Sequence, residues 1–286
     1  GCAMYYATLT QVRAYLKLDT AETGDDSLLT DFIRASSRYC DTRSGTHFYP
    51  LIATRYFDVP PNQRMLQFDD HLLALTSVTN GDGTAVTLSD LLYHPATTYP
   101  KYGVSLKAQS AQVWQPDSNG ECEQVIALTG VWGYHDDYPN AWVSSGDTVT
   151  DALGINASVT TINVTSASGT AADLVSPRFQ AGQLIKVDDE YIDITSITGN
   201  ALTVVRGVYG STAAAHLTSA PISVYRPMAD VTMAVIRLTA WRYRQKDANV
   251  FDATTILGTG VKTTPSATPP DVDDLIPQPL HLVYRQ

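Results

Sequence analysis

The apolar residues of this chain change their spacing along its length, and that change limits the folds open to it. Over residues 5–50 they recur at three- and four-residue intervals. Over 54–134, and again over 183–225, they alternate in short runs. Over 228–246 the helical spacing returns. Each one-sided apolar face must be buried against another element, so the pattern predicts an α+β fold with helices and antiparallel strands in separate stretches. The chain has 286 residues, 44% of them hydrophobic and 17% charged. That is enough apolar material for a sizeable core and more length than one ordinary domain needs.

The first helix is marked by Thr8 and Gln11, a T-x-x-Q capping box ahead of Leu9, Val12 and Leu16 on one face. Gly24-Asp25-Asp26 breaks the chain and offers acidic caps to a second helix. That helix points Leu29, Phe32, Ile33, Ser36 and Tyr39 or Cys40 inward, and Gly45 closes it as a left-handed residue.

Strand-like runs follow at Thr54–Asp58, Met65–Phe68, Thr76–Thr79 and Ala85–Leu88, with Asn80-Gly81-Asp82-Gly83 as a hairpin signal. Val125–Tyr134 reads as a buried strand whose glycines permit a bulge or a close backbone approach. Composition shifts near Asn140. Residues 144–182 are rich in Ser, Thr, Ala and Gly, and no Lys or Arg lies between Lys107 and Arg178. Strands are predicted at Gln183–Asp188, Tyr191–Ile197, Ala201–Arg206 and Ile222–Tyr225, joined by Asp188-Asp189 and Gly199-Asn200 turns.

This divides the chain into a core over 1–139, an inserted all-β domain, barrel- or roll-like, over 140–227, and a core helix over 228–247 that completes the first unit. Replacing the insertion with a short linker is expected to leave a folded core. In the helix, Val231, Ala234, Val235, Leu238 and Trp241 share a stripe. Arg237, Arg242, Arg244 and Lys246 gather toward its end, where they suit the helix dipole, pair with Asp230 and Asp247, or contact a partner or phosphate. Pro265, Pro269, Pro270, Pro277 and Pro279 make 248–286 an extended arm. Leu280, Leu282 and Tyr284 alternate near its end, so an extended backbone puts them on one docking face.

Chemistry-bearing motifs are scarce. The six histidines form no i,i+4 pair and neighbour no cysteine, so no metal site is expected. There is no G-x-S-x-G, P-loop or G-x-G-x-x-G motif, and no cofactor or catalytic residue is assigned. The pairs Asp69-Asp70, Asp136-Asp137, Asp188-Asp189 and Asp273-Asp274 read as solvated turns, with Glu190 grouped in the third of them. Nineteen Lys and Arg against 29 Asp and Glu give a formal charge of −10, which excludes general nucleic-acid binding. Cys2, Cys40 and Cys122 read as free thiols. No apolar run approaches a membrane span, and Gly1-Cys2-Ala3-Met4 is no secretion signal, so synthesis in the cytoplasm and no membrane partner are expected.

The order of segments is more specific than any one of them. Thr8-Leu9 running to Leu16-Lys17-Leu18-Asp19, Asp26-Ser27-Leu28-Leu29 with Ile33 and Ala35, and Ser44-Gly45-Thr46-His47-Phe48 come first. Gly130-Val131-Trp132-Gly133-Tyr134, Met228-Ala229-Asp230-Val231 with Ala240-Trp241-Arg242-Tyr243, and Leu282-Val283-Tyr284-Arg285 follow. This series resembles the head–tail connector (adaptor) proteins of tailed bacteriophages over about 1–139 and 228–286. Within 140–227, Gly182-Gln183-Leu184-Ile185 and Arg206-Gly207-Val208-Tyr209-Gly210-Ser211-Thr212-Ala213-Ala214-Ala215-His216 resemble β-domains of other phage structural proteins.

The resemblance implies a helical connector core with a small antiparallel sheet. It also implies a structural virion protein of the neck, without enzymatic activity. Such a protein forms a ring, commonly of twelve copies, below the portal vertex. The ring continues the DNA channel and receives the next neck or tail protein. Leu280, Leu282 and Tyr284 would then meet the portal or a neighbouring subunit. Twelve copies at −10 give a formal ring charge of about −120, which repels DNA and suits passage without specific binding. A carbohydrate- or receptor-binding virion module, using the β-domain and the chain's 16 tyrosines, is the alternative.

Overall fold

The computed structural model describes residues 4–19, 21–61, 65–246, 254–255, 262–263, 268–269 and 271–278. Their architecture is α+β, with helices beside two six-stranded antiparallel sheets. Helix α1 (Leu9–Leu16) starts at the predicted capping box: Thr8 Oγ1 accepts from Gln11 N–H, and the Gln11 side chain accepts from Thr8 N–H at 2.8 Å. Helix α2 (Asp26–Ser44) ends at Gly45, whose φ of 71° lets its N–H reach Asp41 O at 2.9 Å. Its buried residues are Leu29, Ile33, Ser36, Ser37, Cys40 and Ser44, while Phe32 and Tyr39 stay half-buried. Asp25 holds the N-cap position without capping it. Its carboxylate accepts instead from Tyr243 Oη at 2.7 Å and from Lys246, on helix α3 (Ala229–Gln245) and just beyond it.

The first sheet has strand order β1 (Leu51–Phe57), β6 (Ile126–Trp132), β2 (Met65–Thr79), β5 (Lys101–Leu106), β4 (Leu91–His94), with β3 (Ala85–Val86) on β2. The two runs expected at 65–68 and 76–79 are one strand of 15 residues. Register shifts in β2 opposite β6 break its alternation, and Asp69-Asp70, expected in a turn, sits inside it. Asp70 forms an ion pair with Arg55 of β1, whose guanidinium also lies 5.0 Å over the Trp132 ring. Gly130 lets β6 close on β2, since a Cβ there would stand 2.4 Å from Ala74 O.

The second sheet uses only residues between 142 and 225, in the order β7 (Trp142–Thr148), β12 (Pro221–Tyr225), β9 (Leu184–Val187), β10 (Glu190–Thr198), β11 (Ala201–Val205), β8 (Thr161–Asn163). Its two outer strands approach each other where Thr150 N–H donates to Asn163 O at 2.9 Å. Strands β7 and β8 were not predicted. Their polar residues are tied down by hydrogen bonds: buried Ser145 donates to Ile222 O at 2.6 Å, and Asp147 accepts from Thr165 and Ser166 N–H at 3.0 and 2.9 Å.

The core falls into three clusters. One lies within the first sheet, around Phe68, Leu72, Trp114, Leu128 and Trp132. A second fills the second sheet, around Ile162, Phe179, Ile185, Val187, Ile192, Leu202 and Val224. The third joins Val12, Leu29, Ile33, Cys40, Val231, Val235 and Leu238 of the helices to Leu184, Tyr191 and Tyr225 of the second sheet. These buried contacts cross the expected boundaries at 139/140 and 227/228. Burial of a large side chain contributes roughly 1.5–3 kcal/mol, so these three second-sheet residues add to what holds the helical core together.

The stretch read as an extended arm is not extended throughout. Thr254–Thr255 (β13) pairs with Lys262–Thr263 (β14), and Val272–Leu275 forms a short helix, α4, packed on α3. Val272 and Ile276 are buried in the helical cluster. The prolines bracket this helix rather than break it, with Pro269 O accepting Val272 N–H at 3.1 Å.

Candidate functional site

The chemistry of the described residues concentrates where the second sheet meets the helices and the start of β1. Its centre is Glu190, the first residue of β10, 2% exposed. Arg206 closes on it bidentately, Nε to Oε1 and Nη2 to Oε2, both at 2.7 Å. Gly207 N–H and Ala214 N–H donate to the same two oxygens at 2.9 Å each. His216 sets Nε2 against Glu190 Oε2 at 2.8 Å and Nδ1 against Asp188 Oδ2 at 2.7 Å. Burial pushes the Glu190 carboxyl up, but Arg206, the Ala214 N–H and His216 outweigh it and hold the group below the ordinary range.

The segment 206–216 is thus wrapped around a buried carboxylate, and most of its distinctive residues have a part in this. Arg206 also donates to Asn156 O and Val159 O, both at 3.0 Å. Ser211 Oγ accepts Tyr191 N–H at 2.9 Å. The tip then docks on the first sheet: Ile52 N–H donates to Tyr209 O at 2.9 Å, and the Tyr209 ring packs 4.8 Å from Tyr49. Gly210, with φ +80°, is required here, because a Cβ would stand 1.9 Å from Ile52 O. Glu190 was therefore misplaced by grouping it with the Asp188-Asp189 turn. Only Asp188 and Asp189 make the turn, with Asp188 at φ 50°.

Beside this docking point runs a groove of about 700 Å³, lined by Met4, Tyr5, Leu9 and Ile33 on one side and by Gly182, Asp193, Ile194 and Tyr209 on the other. Its polar groups include Arg34, which donates to Tyr5 Oη at 3.0 Å, and Asp193, which accepts from Tyr209 Oη at 3.1 Å. Burial pushes the Asp193 carboxyl up to about 6, with the Tyr209 hydroxyl opposing the rise. Asp41 is also raised to about 6 by burial, against the pull of Tyr6 and Arg38. Its carboxylate takes the Tyr6 hydroxyl at 2.5 Å, and Tyr6 Oη in turn accepts Phe48 N–H at 3.0 Å.

The basic residues of α3 are placed differently from the expectation. Arg237 pairs with Asp271, Arg242 donates to Ser36 Oγ at 3.0 Å, and Lys246 bonds Asp25. Their contacts therefore go to α2 and the α4 segment, not to Asp230. Asp247, the other expected partner, lies outside the described residues. Arg244 is exposed and makes no ion pair among the described residues. The four do not converge on one site. Leu280, Leu282 and Tyr284 lie outside the described residues.

Among the described residues no group of three or more His, Cys, Asp and Glu could hold a metal ion. None of their helices is long and apolar enough to cross a membrane. No family model matches this chain, and it matches no curated protein. The geometry at the Glu190 centre suits holding a loop rather than turning over a substrate, because the carboxylate oxygens are occupied by protein donors.

Proposed function

We propose that this chain is a structural subunit of a bacteriophage neck, a head–tail connector that assembles as a ring on the portal vertex and continues the DNA channel. The observation that carries the reading is the helical cluster. The segments in which the sequence resembles that family, the capped α1, the α2–Gly45–Phe48 stretch and α3, are gathered around one buried core that includes Val12, Leu29, Phe48 and Val235. Phe48 is fixed from both sides, its N–H on Tyr6 Oη and its carbonyl accepting from Tyr225 Oη at 3.0 Å.

In this reading the chain has no enzymatic role. The acidic surface repels DNA phosphate, so DNA passes without specific binding. Ring closure requires head-to-tail interfaces between neighbours, not two-fold ones. The ring lies at the head–tail junction of the virion, with the portal above and a neck or tail protein below. The β-domain over 140–227 extends the small connector plan, and its Leu184, Tyr191 and Tyr225 share the helical core.

The carbohydrate-binding alternative draws less support. Tyr191 and Tyr225 of the second sheet are buried and pack 5.1 and 5.2 Å from the Trp142 ring, so they do not offer a sugar platform. The test is negative-stain imaging of the full chain mixed with purified portal rings. An added annular layer on one end of the portal is the expected result. Bare portal rings, with the chain retained on immobilised glycans, would replace this reading with the alternative.

A further inference from the structure

The groove beside the docking point combines two features that select an occupant. Its wall is largely apolar, through Met4, Ala7, Leu9 and Ile33. On that wall Asp193 presents a half-buried carboxylate whose described partner is a single neutral donor, Tyr209 Oη at 3.1 Å. A carboxylate so placed favours a cation at its free side, and more so where water is partly excluded. Arg34 also lines the groove and donates to Tyr5 Oη at 3.0 Å, so it is the Asp193 end that suits a cationic side chain flanked by apolar ones.

The chain carries such a sequence. The eight residues Pro279-Leu280-His281-Leu282-Val283-Tyr284-Arg285-Gln286 include no acid, in a chain of formal charge −10. They combine two leucines, a valine and a tyrosine with one arginine. Their point of departure also matters. Tyr39 and Arg43 hold Asp273 of α4, whereas Thr30 and Arg34 line the groove. Each residue of one pair stands nine helical positions from its counterpart in the other, about 180° around α2 at ~100° per residue. The chain thus leaves α4 on the side of α2 facing away from its own groove.

We propose that the groove between the N-terminal helices and β10 receives residues 280–286 of a second copy of this chain, with Arg285 on Asp193 and Leu282 and Tyr284 on the apolar wall. The proposal rests on the ring reading, since it needs copies side by side. It makes the 280–286 segment a link between neighbours.

The test uses a labelled peptide of residues 278–286 and the full-length chain with its own segment blanked by Leu282→Ser, Tyr284→Ser and Arg285→Gln. Fluorescence anisotropy should show saturable binding. Asp193→Asn in the chain should weaken it at least tenfold, and Asp189→Asn should not. Arg285→Gln in the peptide should cause the same loss without touching the folded chain, and the two changes together should cost no more than either alone. Absent saturable binding, or binding indifferent to Arg285→Gln, overturns the proposal. Sedimentation velocity of the unblanked chain, well above the peptide's Kd, should show association that blanking removes. A monomer at every concentration would assign the groove to the chain's own segment and overturn the second-copy assignment. The ring reading is scored apart, on portal. Rings of the blanked chain without peptide binding defeat only the groove, and peptide binding without portal attachment defeats only the ring.

Discussion

The two sheets have the same number of strands and the same antiparallel pairing, yet they bury their faces differently. In β6 of the first sheet, Ile126, Leu128 and Trp132 are fully buried on one face, while on the other Ala127 and Thr129 are half-exposed and only Val131, at its end, is buried. In β10 of the second sheet the alternation serves two cores. Ile192 and Ile194 point into the sheet's own cluster, Tyr191 into the helical cluster, and Asp193 onto the groove wall. Strand β12 repeats this, with Ile222 and Val224 on one side and Tyr225 on the other. The comparison teaches that position along the chain does not decide which sheet supports the helices. The sheet that interrupts the segments of family resemblance is the one that completes their core.

The sharpest way to break this comparison is to open the lock of the second sheet and a corresponding pair in the first. Glu190→Ala leaves Arg206 buried and uncompensated, which typically costs about 3–5 kcal/mol. Asp70→Ala removes a more exposed pair with Arg55, expected at ~1 kcal/mol or less. Urea unfolding of both variants would read the difference, and equal losses would mean the Glu190 network is no lock.

A second effect concerns the joint between the sheets. Gly210→Ala forces a side chain into Ile52 O and keeps a positive φ, with an expected cost of about 1–3 kcal/mol. Gly199→Ala has the same backbone problem but open space around it, so ~1 kcal/mol is expected. Thermal melts that rank the two in the opposite order would deny a tight docking of the 206–216 loop on β1. Smaller again is Thr8→Ala, which removes the α1 cap and the 2.5 Å contact of Thr8 Oγ1 with Gln180 and should cost about 1 kcal/mol.

The pH dependence should separate the carboxylates by sign. Glu190 has a folded pKa below its unfolded one, so its contribution is complete above the ordinary carboxylate range and is lost as pH falls through the folded value. Asp193 and Asp41, both raised to about 6, bind protons more tightly when folded, so their terms stabilise as pH falls from 8 through 6. Asp193→Asn should flatten the stability slope between pH 5 and 7. An unchanged slope would mean that Asp193 is not burdened by its burial.

Much of the local structure was legible because its causes are local. The Thr8–Gln11 box, the Gly45 stop and the apolar stripe of α3 need only neighbours in sequence. What escaped reading depends on distant partners. Polar Ser145 and Asp147 hide a strand, because their hydrogen bonds go to Ile222, Thr165 and Ser166. Asp70 looked like a turn residue because Arg55, fifteen positions earlier, is what holds it in a strand. Glu190 was hidden by the two aspartates before it. The available signal was the Arg206–His216 segment, whose two basic ends both close on the one buried acid. The partners of Arg237 and Lys246 were equally remote, in Asp271 and Asp25.

Native-state hydrogen exchange with fragment-level readout tests most directly which sheet the helices belong to. Amides of α2 and α3 should share one opening free energy with β9, β10 and β12, and the first sheet should open as a separate unit. Helices that exchange together with β6 and β2, while β9, β10 and β12 open independently, would contradict the account.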